Sequence, residues 1–342
     1  MTVPLRLTID TAALADNWRW FAARSGTARA GAAVKADGYG LGAREVVRAL
    51  AAAGCRDFFF TTYDEIAAFG AVPDGLTFYA LHGFREGDAP REGVVPVLNT
   101  EGQIARWKAA AAGERCDVKV DTGMNRLGLP YKAVTAETPA GLNIGTLHSH
   151  LACADEPDNA MNARQLARFR DVVARVSPPA ASLCGSGGVL LGEDYHFDLT
   201  RPGLGIYGGI PHPAAEGKLK PVVGIEAEVL QVRGVEAGET AGYGGTWTAP
   251  RATRLATLNI GYADGYLRGF SGTGLASADG HTFPVVGRVS MDMTIVDIGD
   301  ADLKEGDWMQ IAYDLPMAAA QSGLSQYELL TGLGGRYQRR YT

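Results

Sequence analysis

The stretch "GAAVKADGYG", residues 31–40, ends an apolar run on a lysine and then sets an aromatic residue between two glycines. Burying an ammonium is costly unless it is paired or neutralised, so a lysine at the tip of a buried strand asks for a chemical reason. Four other polar side chains stand at comparable places. Arg126 lies in "KVDTGMNRLG", His150 in "HSHLACADE", Ser186 in "CGSGG" and Arg201 in "LTRPGLGIYGG". An amine, two guanidinium groups, an imidazole and a hydroxyl, grouped with glycine-rich turns, would suit an anionic small molecule that carries an electrophilic carbon.

Those residues become a site only if the elements that carry them converge. Short apolar runs recur at 30–35, 57–61, 76–81, 94–98, 116–121, 143–150, 180–184 and 197–207, and helical stretches at 42–53, 62–70, 101–112 and 159–176 fall between most of them. This repeated βα pattern predicts a (β/α)8 TIM-type barrel, a fold of typically ~250 residues whose catalytic groups gather at the C-terminal ends of the strands. From about residue 213 the runs "GIEAEVLQV", "TRLATLNIGYADG", "PVVGRVSMDMTIVDIG" and "DWMQIAYD" are separated by turns instead of helices. A mostly-β C-terminal domain follows, with one helix at about 325–332 before the tail "GRYQRRYT". The expected organisation is an N-terminal strand at 1–10 joining the C-terminal domain, a barrel at 11–212 and a β-rich domain at 213–342.

Bulk properties narrow the partners. The 342 residues suffice for two domains, and 46% hydrophobic and 20% charged residues are ordinary for a globular enzyme. With 38 acidic and 32 basic residues the net charge is −6, and no Lys/Arg stripe offers a footprint for nucleic acid or anionic lipid. A small-molecule substrate is expected, with no nucleic acid and no membrane partner. The four cysteines lack CxxC spacing and the N-terminus lacks a signal-peptide pattern, so a cytoplasmic location is expected.

Glycine backbones let N–H groups approach an anion closely, and the last two βα loops of such barrels are a frequent phosphate site. A lysine amine beside such loops suggests a Schiff base to pyridoxal 5'-phosphate. Six segments carry a family resemblance as well: "AVKADGYG", "KVDTGMNRLG", "SHLACADE", "TRPGLGIYGG", "NIGYADGYLR" and "GRVSMDMTIVDIG" are similar, in order and over nearly the whole chain, to segments of bacterial alanine racemases.

The resemblance implies interconversion of L- and D-alanine, with D-alanine destined for peptidoglycan, by a head-to-tail homodimer whose sites are shared between chains. Lys35 would hold the cofactor and act as one acid/base group, with Tyr262 as the other, since inversion at Cα needs protons handled on opposite faces. Arg201 would face the pyridine nitrogen, where a guanidinium does not readily give up a proton, so the ring stays a weak electron sink and racemisation is favoured over transamination. Tyr39, Ser186, Gly203, Leu204 and Tyr337 match phosphate ligands, and His150 matches a support for the ring and Arg201. Arg126 and Met291 match groups at the substrate carboxylate. Lys119 matches a lysine that is carbamylated in relatives.

Three positions depart from the commoner family pattern: Gly185 where relatives often have Asn, Leu41 where many have His, and Ser290 where some have Cys. A racemase of broader or serine-preferring specificity is an alternative within the class. From another class, His148 and His150 on one strand face, with Cys153 and Asp155 nearby, would suit a metal-dependent barrel hydrolase.

Overall fold

In the computed structural model, which describes residues 3–342, eight parallel strands follow one another around a ring. They are Arg29–Ala30 continued by Ala32–Ala33, then Asp57–Phe60, Thr77–Ala80, Val94–Leu98, Arg115–Asp121, Asn143–His148, Ala181–Ser182 and Leu199–Thr200. Each pairs with the next from first to seventh. The seventh meets the eighth through Asp198 N–H to Ala181 O (3.0 Å), Arg201 N–H to Cys184 O (2.9 Å) and a parallel bridge between Gly185 and Arg201. Leu199 and Thr200 pair with Arg29 and Ala30, which closes the ring. Strands covered on both faces need apolar residues at every position. "DFFF" at 57–60 and "VVPVL" at 94–98 are buried throughout.

The intervening helices follow from amphipathic spacing and capping. Ala43–Ala53 buries Val46, Val47 and Leu50 and ends at Gly54 in the left-handed conformation. Tyr63–Phe69 and Glu101–Ala110 start behind Thr62 and Thr100, whose hydroxyls accept the N–H of Glu65 and Gln103. Ala160–Val176 starts behind Asn159. A further helix, Thr11–Arg24, not among those expected, buries Leu14, Trp18 and Phe21, and Trp18 Nε1–H donates to Gly31 O (3.2 Å).

Most expected strands are shorter than their apolar runs: the sixth ends at His148, so His150 lies just beyond it, and the seventh covers only Ala181–Ser182. The first stops at Ala33 and Lys35 opens a separate turn, while the eighth covers only Leu199–Thr200, because the glycines and proline that follow lead into a 3-10 turn at Leu204–Tyr207.

The barrel belongs to one compact unit, Ala12–Lys220; the other joins the described residues up to Thr11 with Pro221–Thr342. In this second unit the long strand Val223–Val235 pairs antiparallel with Leu5–Ile9, Trp308–Ile311 and Thr253–Leu258. A register shift between Val229 and Gln231 lets its two halves serve different neighbours. In Leu5–Ile9, Leu5, Leu7 and Ile9 point inward and alternate with Arg6 and Thr8, the period of two that a one-sided strand requires. Its other edge carries Gln338–Tyr341 in parallel. Leu275–Ala278, His281–Val286 and Thr294–Asp297 complete the sheet, and helices Leu315–Ser322 and Gln326–Thr331 precede the last strand.

Candidate active site

Lys35 is followed by a left-handed turn. Ala36, Asp37, Gly38 and Tyr39 have φ of 53°, 54°, 64° and 56°, a conformation that costs non-glycine residues roughly 1–2 kcal/mol each. Side chains hold it in place. Glu65 takes the Ala36 N–H on one carboxylate oxygen (3.0 Å) and the Thr61 N–H on the other (2.7 Å), and Asp37 takes the Ala43 N–H (2.8 Å). The turn leaves Lys35 half-buried and sends the Tyr39 ring inward to stack on Tyr207 at 4.5 Å. Strain at a reactive side chain, maintained by surrounding bonds, marks a position selected for geometry.

Lys35 lines a cavity of about 530 Å³ together with Lys119, Arg126, His82, Arg85, Gln103, Thr61, Leu81 and Leu127. The cavity concentrates positive charge. Burial lowers the Lys35 pKa below that of a free lysine, and Arg126 and Arg201 lower it further against the opposing pull of Glu65. Lys119 is brought to about 8 by burial and by Arg201 and Arg126. Burial, then Arg201 and Lys119, drive His150 well below the ordinary histidine value, so its ring is neutral. The loop bearing Arg126 is tied to Asp121, whose carboxylate accepts the N–H groups of Gly123 (2.8 Å), Asn125 (3.0 Å) and Arg126 (2.8 Å). Although partial burial works the other way, those donors hold the Asp121 carboxyl below its usual range.

Arg201 is 8% exposed, and burial reduces its pKa to about 10. Its Nη1 donates to Ser182 Oγ and to His148 Nδ1 (3.4 Å), and its Nη2 to Ser149 O (2.5 Å) and Leu183 O (3.3 Å). Four of its five N–H groups are thus used inside the barrel, and the Nε–H is left for a ligand. The other nitrogen of His148 contacts Asp117 Oδ2 at 2.8 Å. The histidine pair noted in the sequence is therefore not a free metal pair, because an aspartate and a guanidinium already take both ring nitrogens of His148. Asp117, Ser182, His82 and Gln103 escaped sequence reasoning. Asp117 stands in the strand Arg115–Asp121 just ahead of the segment "KVDTGMNRLG", and its place as a carboxylate within a predicted buried strand is the signal that could have drawn notice.

At the last two strand ends, Ser186 Oγ accepts the N–H groups of Gly203 (2.7 Å) and Gly205 (3.3 Å), which leaves the hydroxyl proton free. A Cβ on Gly203 would fall 2.4 Å from the Tyr39 hydroxyl, so only glycine permits this approach. Leu204 opens the following 3-10 turn and is buried, and Leu41 is fully buried.

Tyr262, Met291, Ser290 and Tyr337 belong to the second unit. Tyr262 begins a 3-10 turn behind Gly261. Its N–H donates to Ser290 O and that of Ala263 to Met291 O, both at 3.0 Å. An added Cβ on Gly261 would lie 2.4 Å from both of those carbonyls. Buried Asp264 closes the turn by accepting the Gly261 N–H (3.0 Å) and a two-pronged contact from Arg336 Nε (2.7 Å) and Nη2 (2.8 Å). Tyr337 donates its hydroxyl proton to Asp264 O (2.9 Å). Met291 is exposed, and the Arg268 guanidinium lies 5.6 Å from the Tyr262 ring centre.

A closed barrel whose C-terminal mouth presents a lysine at the start of a left-handed turn amid cations defines an enzyme of the (β/α)8 class with an added antiparallel β unit. Sequence models of the alanine racemase N-terminal and C-terminal domains match residues 9–211 and 222–341. The biosynthetic alanine racemase of Agrobacterium fabrum is 42% identical, covering 99% of this chain and 94% of its own. That of Rhizobium meliloti is 45% identical, covering 98% and 96%. A solved alanine racemase from Bartonella henselae, with covalently bound pyridoxal phosphate, matches the whole of both chains with a TM-score of 0.92 and 36% identity. The chain belongs to the alanine racemase family, and its class of reaction is isomerisation.

Proposed function

We propose that the protein interconverts L- and D-alanine with pyridoxal 5'-phosphate held on Lys35. One observation carries this reading: a half-buried lysine, its pKa lowered by burial and by Arg126 and Arg201, on a strained turn at a barrel mouth. The residues fit such a cofactor. Ser186 offers a hydroxyl proton beside the close-approaching backbone of Gly203 and Leu204, and Tyr39 stands against them, which suits a phosphate. Arg201 offers a single free Nε–H, which suits a ring nitrogen acceptor. A phosphate role for Tyr337 requires its proton to be re-aimed from Asp264 O.

When bound, pyridoxal phosphate supplies the electron sink that makes the substrate Cα–H acidic. Lys35 then takes or delivers a proton at Cα on one face and Tyr262 does so on the other. Arg201 would hold a ring-nitrogen acceptor with its Nε–H while retaining its proton, which would keep that sink weak and favour return of a proton to Cα. Neutral His150 supports the ring and Arg201 without adding charge. Arg126 and the Met291 N–H bind the substrate carboxylate. Lys119, at about 8, keeps enough free amine to take up carbon dioxide as a carbamate, which would turn a cation into a partner for Arg126.

The exposed Met291, Met293 and Tyr243 of the second unit support a head-to-tail homodimer in which one chain's Tyr262 meets its partner's barrel. Four unpaired cysteines, three of them buried, support a cytoplasmic location, and no described helix is long and apolar enough to cross a membrane. Relatives of similar identity are named biosynthetic and catabolic alanine racemases, and provision of D-alanine for peptidoglycan is the cellular role proposed.

The test is racemisation of L-alanine, L-serine and larger amino acids by protein loaded with pyridoxal phosphate. Alanine is expected as the preferred substrate, with a visible absorbance that borohydride removes. Preference for serine would move the specificity, and no racemisation by cofactor-loaded protein would end the reading. Growth of a D-alanine-requiring bacterial strain expressing the chain tests the cellular role.

A further inference from the structure

The barrel interior below Arg201 is polar where barrels of this kind are usually filled by branched aliphatic side chains. Asp117 is fully buried and His148 is 1% exposed. One Asp117 oxygen accepts the Thr146 N–H (2.9 Å), and the other faces His148 Nε2 (2.8 Å). Arg115 Nη2 lies 3.7 Å from Asp117 on the side away from His148's partner and bonds the Tyr79 hydroxyl (3.2 Å), which donates to Asp57 (2.7 Å). The His148 ring is also held edge-on to Phe59 and Tyr79, at 6.1 and 6.3 Å.

The donor and acceptor count leaves one arrangement. A carboxylate only accepts and a guanidinium only donates. His148 lies between Asp117 and Arg201, so its Nε2 must carry the proton and its Nδ1 must offer a lone pair. The other tautomer would set an acceptor against Asp117 and an N–H against Arg201 Nη1. A doubly protonated ring would set an N–H against Arg201 as well. Burial and the charges of Arg201 and Lys119 prevail over Asp117 and lower the His148 pKa, in keeping with a neutral ring.

We propose that Asp117, acting through His148, is a positioning residue that fixes the rotation of the Arg201 guanidinium and so determines that its Nε–H is the donor presented to the cofactor ring. This rests on the reading of Arg201 as the partner of the ring nitrogen. Nothing in the chemistry requires Asp117 to touch substrate or cofactor. Its reach is two hydrogen bonds long.

Asp117→Asn isolates the effect. The amide keeps the shape but can no longer accept from both Thr146 N–H and His148. If its oxygen stays with Thr146, its NH2 faces His148 and forces the proton to Nδ1, against Arg201. Long-range proton–nitrogen spectra of holoenzyme labelled with 15N-histidine report the tautomer directly. In the native protein His148 is expected to show a protonated Nε2 and a bare Nδ1, which requires no variant to fold. In Asp117→Asn the tautomer is expected to reverse, racemisation to fall on the order of tenfold, as for other outer-shell partners, and transamination per racemisation to change. A native His148 protonated at Nδ1, or at both nitrogens, overturns the proposal. A reversed tautomer with an unchanged transamination ratio overturns the link to Arg201. Failure of the protein to take up pyridoxal phosphate would count against the proposed function, while the tautomer of His148 would still decide this inference.

Discussion

Lys35 and Tyr262 each sit at the start of a single tight turn, and in both turns a carboxylate is bonded to backbone N–H groups. Glu65 and Asp37 do this for the lysine, and Asp264, itself gripped by Arg336, does it for the tyrosine. The two turns differ in their electrical surroundings. Lys35 shares its cavity with Lys119 and Arg126, so its amine is prepared to lose a proton within its own unit. Tyr262 has a rigid seat, and among the described residues of its unit Arg268 lies over its ring at 5.6 Å. Positioning and electrostatic preparation are therefore separable. The barrel supplies both, and the second unit supplies position.

The largest effect that this contrast predicts is from Lys35→Ala, which removes the amine and the acid/base group together. Racemisation should fall by more than about 10³-fold, and the cofactor's visible absorbance should be lost on dialysis. Tyr262→Phe should fall by about 10²–10⁴-fold but keep that absorbance. Equal loss of absorbance in both would break the comparison. Unfolding the two variants together and refolding them tests where they meet. If the site is shared between chains, about half the dimers are mixed and each has one intact site, so roughly a quarter of native activity should return. No recovery with mixed dimers confirmed by native mass measurement would put both residues in the same chain's site.

Arg336→Ala addresses the seat alone. It removes both prongs from buried Asp264 and the contact with Asp292 (2.7 Å). A loosened tyrosine turn should lower kcat by about 10–100-fold, in line with an outer-shell partner, while the absorbance of the lysine-bound cofactor is unchanged. Hydrogen exchange should quicken at 261–265 and stay as it was at 35–43. A kcat equal to that of the native protein would show that Asp264 holds the turn without help.

The elements and the chemistry were not equally legible. Barrel strands announce themselves because both faces are covered, so "DFFF" and "VVPVL" are continuous apolar runs, and the caps Thr62, Thr100 and Asn159 mark helix starts. The helix Thr11–Arg24 was missed although Leu14, Trp18 and Phe21 stand at the i, i+4 and i+7 spacing of one buried face. The left-handed turn was illegible for a physical reason. Ala36 and Tyr39 have no intrinsic preference for positive φ, and although Asp37 tolerates it and bonds the Ala43 N–H, the turn is also held by Glu65, 29 residues from Ala36. The lysine, tyrosine and arginines of the site could be found from motifs. Asp117 and Arg336 could not, since each acts through a contact made only when distant strands or the tail come together, and neither is part of a recognisable spacing.

The smallest expected effect concerns stability and tests the electrostatic half of the comparison without using the reaction. Lys119 titrates at about 8 in the folded protein and near 10.5 when unfolded, so between those values the unfolded chain binds more protons. Stability owing to this group therefore rises with pH from about 8 to 10.5, and below 8 the folded state carries the full cost of confining a third cation near Arg201 and Arg126. Lys119→Met removes that cost while keeping much of the side-chain volume. The variant should be more stable than the native protein by at most about 3 kcal/mol below pH 8, with solvent access to the half-buried amine reducing the value, and the gain should vanish as pH approaches 10.5. Thermal unfolding across that range, in buffer stripped of carbon dioxide, measures the difference. Added bicarbonate should shrink it if Lys119 becomes a carbamate, since the native side chain would then oppose the nearby cations and no longer add to them. A gain that is independent of pH would mean that packing, and not charge, sets the cost of Lys119, and the cationic preparation of the barrel mouth would then rest on Arg126 and Arg201 alone.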